Sequence, residues 1–117
     1  MIEDLIQLLE SEYGHPVYLQ GSMSSDEAYP DNFFTYWINE SSDESHYDNG
    51  ENAIVWDYDL NFYSNDPLKV HSMMLNIKKL LKQNNFTVSG NGYSVMSDEV
   101  THTGRGLNVL YRQNFLD

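Results

Sequence analysis

The segment Ala53–Tyr63 constrains the fold of this chain more than any other part of its sequence. Successive side chains of a β-strand point to opposite faces of the sheet, so alternate positions share one environment. One set of alternate positions is apolar: Ile54, Trp56, Tyr58, Leu60 and Phe62. The other set is more polar: Val55, Asp57, Asp59, Asn61 and Tyr63. The segment therefore predicts a long strand with one face in the core and the other wet and acidic.

Two further segments have the periodicity of amphipathic helices. Ile2–Tyr13 repeats apolar residues at helical spacing and is followed by Gly14, a residue type that often ends helices. The second helix begins with Asp66 as its N-cap and Pro67 in its first turn, and it runs to Asn84. It has one apolar stripe, composed of Val70, Met73, Met74, Ile77, Leu80 and Leu81. We therefore expect this longer helix to pack on the sheet.

The remaining strands are predicted from aromatic and β-branched runs: Val17–Gln20, Phe33–Asn39, Phe86–Ser89, Tyr93–Met96 and Leu107–Arg112. Gly90-Asn91-Gly92 predicts a tight hairpin turn, whereas Glu40–Asn52 and Ser97–Gly106 are polar and predict loops. The resulting order is α-β-β-β-α-β-β-β. It predicts a single α+β domain over residues 1–117, with a mainly antiparallel sheet, one long helix packed on a face and a short N-terminal helix.

The charge of the chain is acidic and unevenly distributed. There are 18 Asp and Glu residues against 6 Lys and Arg, for a net charge of −12. Met1–Asn65 contains 14 of the acids and no Lys or Arg, whereas Asp66–Asp117 contains 4 acids and all 6 bases. Nonspecific binding to duplex DNA or to an anionic membrane needs basic surface, so this balance argues against both.

Composition also restricts the chemistry. The chain has no cysteine, which excludes disulfides, thiolate zinc sites and a cysteine nucleophile. Its first residues are acidic and no apolar run reaches membrane length, so we expect a soluble protein made in the cytoplasm. The four histidines have no metal-binding spacing, and no nucleophile is marked out by its neighbours. A small hydrolase is therefore the least favoured functional class.

Asp57 and Asp59 form the one pair of residues that suggests a metal site. Both carboxylates point the same way from the predicted strand, and oxygen ligands suit a divalent cation. However, two carboxylates without a third ligand bind metal poorly, and strand alternation produces such pairs by itself. We therefore predict no cofactor and no enzymatic activity.

Arg105 is a candidate for contact with another copy of the chain. It lies between Gly104 and Gly106 in the predicted loop, and the first half of a neighbouring copy offers acidic surface. Such a head-to-tail contact closes a ring if the rotation between subunits allows it. The alternative is an arginine that is simply solvated in a loop, because isolated surface pairs contribute little.

A series of short motifs resembles small neck and tail proteins of long-tailed bacteriophages and prophages. The motifs span most of the chain, from Pro16 to Arg112. Those before the second helix are Pro16-Val17-Tyr18, Gly21-Ser22-Met23, Tyr29-Pro30 with Phe33–Trp37, His46-Tyr47-Asp48-Asn49, Trp56 and Tyr63–Pro67. Those after it are Gly90–Tyr93, Ser97-Asp98-Glu99 and Thr101–Gly106. The last, Thr-His-Thr-Gly-Arg-Gly, is the most specific.

The resemblance implies a structural role in the virion. Proteins of this group are tail terminators and head–tail joining proteins, so it implies a hexameric ring that caps the tail tube and docks to the head. The implied partners are other copies of the chain, the tail tube protein and a head-completion or connector protein. The implied location is the virion neck, after synthesis in the bacterial cytoplasm. No catalytic residues are implied, and a neighbouring head-closure or tail-completion protein remains an alternative.

The resemblance suggests a role for the acidic face of the predicted strand Ala53–Tyr63. A passage for DNA benefits from acidic walls, since like charge keeps phosphate from binding to them. Asp57 and Asp59 are therefore the candidates for an acidic lumen. Candidate ring or partner contacts come from the two polar loops: His46, Tyr47, Asp48, His102 and Arg105. Changing Arg105 to Glu is expected to weaken assembly and leave the monomer folded.

A second class also fits the net charge. A small protein of charge −12 can imitate DNA and occupy a nucleic-acid-binding protein. Such a mimic should carry carboxylates at phosphate-like spacing along an elongated face. The acids here alternate with aromatic residues or cluster in loops, so the DNA-mimic inhibitor ranks second to the tail terminator.

Overall fold

The computed structural model describes residues 2–20, 30–39, 42–43, 53–97 and 101–114 of the chain. It contains two helices, α1 (Ile2–Tyr13) and α2 (Pro67–Gln83). The strands, in chain order, are β1 (Val17–Leu19), β2 (Asn32–Ile38), β3 (Ser42–Asp43), β4 (Ala53–Ser64), β5 (Thr87–Val95) and β6 (Thr103–Asn114). The predicted α+β class is confirmed, with a mostly antiparallel sheet, one long helix and a short N-terminal helix.

The sheet is built around the long strand β4. The strand order is β1-β2-β4-β6-β5, and the two-residue β3 also pairs with β4. Strands β4 and β6 pair antiparallel along their whole length, from Ala53 opposite Asn114 to Ser64 opposite Thr103. Among the described strands, only β1 runs parallel to its neighbour, β2. Because β4 lies between β2 and β6, its alternating side chains organise both faces of the sheet.

Both helices pack on the same face, which we call the helix face. From α1 the buried residues are Leu5 and Leu9, and from α2 they are Val70, Met73, Met74, Ile77 and Leu81. They meet the apolar set of the sheet, including Phe34, Tyr58, Leu60, Phe62, Leu107 and Val109. Burial of this apolar surface is the main favourable term in folding. Within the described residues, neither helix is long and apolar enough to span a bilayer.

The start of α2 is formed as the sequence predicts. Asp66 is the N-cap, and its Oδ1 accepts a hydrogen bond of 3.1 Å from the backbone N–H of Leu68. Pro67 follows in the first turn, where its missing N–H has no helical partner to lose. Ser64 Oγ accepts a further bond of 3.0 Å from the Asp66 N–H, which ties the cap to the end of β4.

The hairpin predicted at Gly90-Asn91-Gly92 is wrong. Ser89 pairs with Asn108 and Tyr93 with Gly106, so β5 continues past these three residues along one partner strand. Three residues of β5 therefore face a single residue of β6, and they form a bulge. The glycines are needed here because Gly90 has φ of 71° and Gly92 has φ of 100°. The glycines form a bulge and not a turn because β6 pairs with β5 on both sides of them.

The loop predicted over Ser97–Gly106 is also partly wrong. Strand β6 begins at Thr103, so Thr103–Gly106 belongs to the ladder with β4. Glycine is a poor strand former in general, which is why this segment looks like a loop. Here the two glycines give space to aromatic side chains of neighbouring strands, as described below.

His15 gives the fold a pH dependence of known sign. Its ring lies 6.5 Å from the Phe34 ring and 6.1 Å from the Phe62 ring, centroid to centroid. Burial, and then the positive charge of Lys69, lower the pKa of His15 from its usual 6.5. The unfolded chain therefore binds this proton more readily than the folded chain, so stability falls as pH drops below about 6.5.

We expect the wild type to lose more stability than His15→Gln between about pH 7 and pH 5. Urea unfolding at several pH values measures the difference, and the comparison cancels the titration of the carboxylates that the two proteins share. His71→Gln, at an exposed position of α2, is the control. Parallel pH profiles for the wild type and His15→Gln would contradict the assignment.

Candidate functional site

The face of the sheet opposite the helices carries the candidate site, and we call it the outer face. Cross-strand partners share a face, so the register places the following side chains there: Phe33, Thr35 and Trp37 of β2, Asp57, Asp59, Asn61 and Tyr63 of β4, Asn108 and the exposed Arg112 of β6, and Tyr93 of β5. Trp37 and Tyr93 are 49% and 44% exposed, unusually open for large aromatic residues. The outer face therefore combines exposed aromatic rings with carboxylates.

Asp57 is held by amide groups on both sides. Its Oδ1 accepts a hydrogen bond of 2.6 Å from Asn108 Nδ2 and one of 3.2 Å from Asn39 Nδ2. Asn39 follows β2 and Asn108 lies in β6, so the carboxylate joins three neighbouring segments. These donors are dipoles and carry no net charge, so they orient the carboxylate and leave its negative charge in place.

The hydrogen bonding of Asp59 is weaker and more exposed to solvent than that of Asp57. Tyr93 Oη lies 3.5 Å from Asp59 Oδ1, at the outer limit of a hydrogen bond. Burial raises the pKa of Tyr93, and the charge of Asp59 raises it further. Trp37 lies directly opposite Asp59 on β2. Asp59 therefore combines a free negative charge with two aromatic neighbours.

Asn61 was predicted to be on the wet face, but it is only 5% exposed. Its Nδ2 donates to Gln20 Oε1 and Thr35 Oγ1, both at 3.3 Å. Its Oδ1 is buried without a hydrogen-bond partner and lies against Gly106. Asn61 therefore belongs to the packing of the outer face, and the solvent-accessible polar residues of β4 on that face are Asp57, Asp59 and Tyr63.

Two glycines of β6 support aromatic rings of the outer face. A Cβ atom on Gly104 would lie 2.6 Å from Tyr63 Cε1, and one on Gly106 would lie 2.8 Å from Tyr93 Cε2. The two tyrosine rings thus lie directly over the glycine backbone of the strand that separates β4 from β5. The glycines of Thr101–Gly106, the most specific motif of the resemblance, are therefore required by packing.

His102 is bound within the subunit. Its Nε2 lies 2.7 Å from the Pro30 carbonyl oxygen, which can only accept, so this nitrogen carries the proton. The Thr101 hydroxyl then donates to His102 Nδ1 at 2.8 Å. The imidazole ring also lies 5.9 Å from the Phe33 ring. The predicted role of His102 in ring or partner contact stays a prediction, and its visible role is to fasten Pro30 to the start of β6.

Arg105 is also bound within the subunit. It points to the helix face, where its Nη2 donates to the Gly92 carbonyl at 2.9 Å. Lys78 of α2 donates to the Gly90 carbonyl at 2.6 Å and to Asn91 Oδ1 at 2.7 Å. Two cations thus hold the bulge of β5. The predicted contact of Arg105 with another copy stays a prediction, with the guanidinium already engaged in an intrachain bond.

The other predicted site residues give no further geometry. His46, Tyr47 and Asp48 lie outside the described residues. In the part of the chain that the structure describes, no group of three His, Cys, Asp or Glu residues is placed to hold a metal ion. The arrangement of Asp57 and Asp59 therefore offers fixed negative charge beside aromatic surface, which suits exclusion of anions or contact with a protein.

The sequence alone does not indicate which residues hold Asp57. Asn39 ends a predicted strand and Asn108 lies within the last predicted strand, and neither has a predicted role. The alternation of Gly104, Gly106 and Asn108 indicates that these three residues share one face of a strand. The predicted strand begins only at Leu107, so it does not include the two glycines.

No family model matches the chain, and a search of curated proteins finds no match either. The function is therefore argued from the chemistry of the chain and from the motif resemblance.

Proposed function

We propose that this protein is a tail terminator of a long-tailed bacteriophage. In this proposal, copies of the chain form a hexameric ring that caps the tail tube and joins it to the head. DNA passes through the ring without being bound. The partners are other copies of the chain, the tail tube protein and a head-completion protein, and no cofactor is required.

The acidic outer face is the observation that carries the proposal. Asp57 and Asp59 project from the same side of β4, and their partners are amides and a phenol. Their negative charge is therefore oriented but not neutralised by these partners. Fixed like charge on the wall of a passage repels phosphate and lets DNA slide past. We assign Asp57 and Asp59 to the lumen or its mouth.

A charge reversal on this face tests the assignment. We expect Asp59→Lys rings to retain duplex DNA about tenfold more tightly than wild-type rings at low salt, because several lysines would then line one passage. Asp59 is suitable because its one described hydrogen bond is long, whereas Asp57 has two amide partners. Retention is measured by a mobility shift over a range of salt concentrations.

Asp31→Lys is the matched control, since it makes the same charge change at an exposed residue that precedes β2. Equal DNA retention by the two variants would show that the outer face does not line the passage. A wild-type monomer that displaces duplex DNA from a DNA-binding protein would instead favour the DNA-mimic alternative.

A further inference from the structure

Helix α2 has an outward stripe that combines leucine with lysine. Leu68 is 81% exposed and Leu75 is 57% exposed, while Lys79 and Lys82 are exposed farther along the helix. Helical spacing puts these four residues on one side of α2, opposite the buried stripe that packs on the sheet. Neither lysine side chain has a hydrogen bond or ion pair with another described residue. We call Leu68, Leu75, Lys79 and Lys82 the basic stripe.

Helix α1 has a surface of the opposite charge. A shallow cavity of about 530 Å³ runs along its solvent side, lined by Glu3, Ile6, Gln7, Glu10 and Ser11. Ile6 is half-buried, and the four polar residues around it are exposed. The helix contains no Lys or Arg, and the two charged residues that line this cavity, Glu3 and Glu10, are both acidic. We call these five lining residues the acidic groove.

The two surfaces are complementary in both charge and apolarity. Each has an apolar residue at its centre, Ile6 in the groove and Leu75 in the stripe. Glu3 and Glu10 lie about one turn before and after Ile6, and Lys79 lies about one turn after Leu75. When Ile6 meets Leu75, a carboxylate therefore comes near Lys79 whether the helices run parallel or antiparallel.

We propose that the basic stripe of one copy binds the acidic groove of a second copy. This inference rests on the proposed function, in which copies of the chain associate, and it names one contact between them. A contact between two different surfaces is heterologous, which is the type that builds rings. The leucines and Ile6 supply the apolar contact. The ion pairs set orientation and partner choice, since exposed pairs contribute little alone and weaken as salt is added.

Two charge-reversed variants test the contact. The first is Glu3→Lys with Glu10→Lys, and the second is Lys79→Glu with Lys82→Glu. Each variant opposes like charges at the contact, so we expect its self-association at low salt to be weaker than that of the wild type by about tenfold or more. Sedimentation velocity measures association, and circular dichroism confirms that each variant is folded.

Mixing the two variants is the decisive step. In an equimolar mixture each stripe–groove pair between unlike variants is oppositely charged, so assemblies of wild-type size in which the two variants alternate are expected to return. Asp31→Lys is the control for a charge change outside the contact. A mixture that remains dissociated, or a wild type that stays monomeric at the highest soluble concentration, would overturn the inference.

The same data separate this inference from the proposed function. Closed rings that persist in both variants would support the proposed ring and show that the stripe–groove contact is not part of it. The opposite outcome is also distinguishable. Charge reversal could abolish wild-type association and mixing restore it, while the assemblies are only dimers or open filaments. That result would support the stripe–groove contact and contradict the ring.

Discussion

Gly106→Ala is expected to destabilise the protein by about 2–3 kcal/mol, a typical cost of inserting a methyl group where no space exists. The new Cβ would lie 2.8 Å from Tyr93 Cε2 and would also collide with Asn61 Oδ1. Relief by a backbone shift is hindered because β6 is hydrogen-bonded to β4 on one side and to β5 on the other. Gly104→Ala is expected to behave similarly, since its Cβ would lie 2.6 Å from Tyr63 Cε1. Urea unfolding followed by tryptophan fluorescence measures the loss.

Two comparisons identify the cause of that loss. Removing the ring first, in Tyr93→Ala, should reduce the further cost of Gly106→Ala, and a double-mutant cycle reports the coupling between the two sites. Gly90→Ala is the control, since nothing lies within 4 Å of its Cβ and its cost comes from the positive φ alone. If Gly106→Ala were as stable as the wild type, the packing of aromatic rings over β6 would be wrong.

Arg105→Glu is expected to destabilise the folded monomer by about 2 kcal/mol, because a charged hydrogen bond to a part-buried carbonyl is lost. The new carboxylate would face the Gly92 carbonyl oxygen that now accepts from the guanidinium. This expectation differs from the one drawn from the sequence, in which the same change leaves the monomer intact and weakens only assembly. The difference arises because the sequence places Arg105 in a loop, whereas the structure places it in β6 beside the bulge.

Arg105→Met separates the two effects. It removes the hydrogen bond without adding repulsion, so its unfolding free energy should lie between those of the wild type and Arg105→Glu. Thermal and urea unfolding of the isolated monomer measure both variants, so assembly does not enter the comparison. Unchanged unfolding midpoints for Arg105→Glu would show that the hydrogen bond from Arg105 to the Gly92 carbonyl does not stabilise the monomer. They would instead favour the role of Arg105 in contact with another copy.

The elements predicted well from the sequence are those with strong local signals. Strand β4 and helix α2 each have an uninterrupted period, and the Asp66-Pro67 cap marks the start of α2. The errors in the predicted elements concern β5, β6 and the two-residue β3, which pairs with β4 within the predicted loop Glu40–Asn52. Whether Gly90-Asn91-Gly92 turns the chain or bulges from it depends on which strand lies opposite, and that partner is supplied by residues many positions later. Local patterns do not contain this information.

The candidate site was predictable to a similar extent. The alternation within β4 is local, and it brought Asp57 and Asp59 together on one face. The register between β4 and β6 decides that Asn108 binds Asp57, and the bulge in β5 decides that Tyr93 reaches Asp59. The same register decides that Asn61 is buried, because it places Asn61 opposite Gly106. Asn61 does not belong to the apolar set of β4, so the local pattern does not indicate its burial. Nonlocal pairing therefore limited the sequence-based prediction.

Electron cryomicroscopy of the purified protein decides whether it forms the proposed ring. We expect closed rings with an opening wide enough for duplex DNA, with Asp57 and Asp59 facing that opening. Rings whose opening is lined by neutral or basic residues would contradict the assignment of Asp57 and Asp59 to the passage.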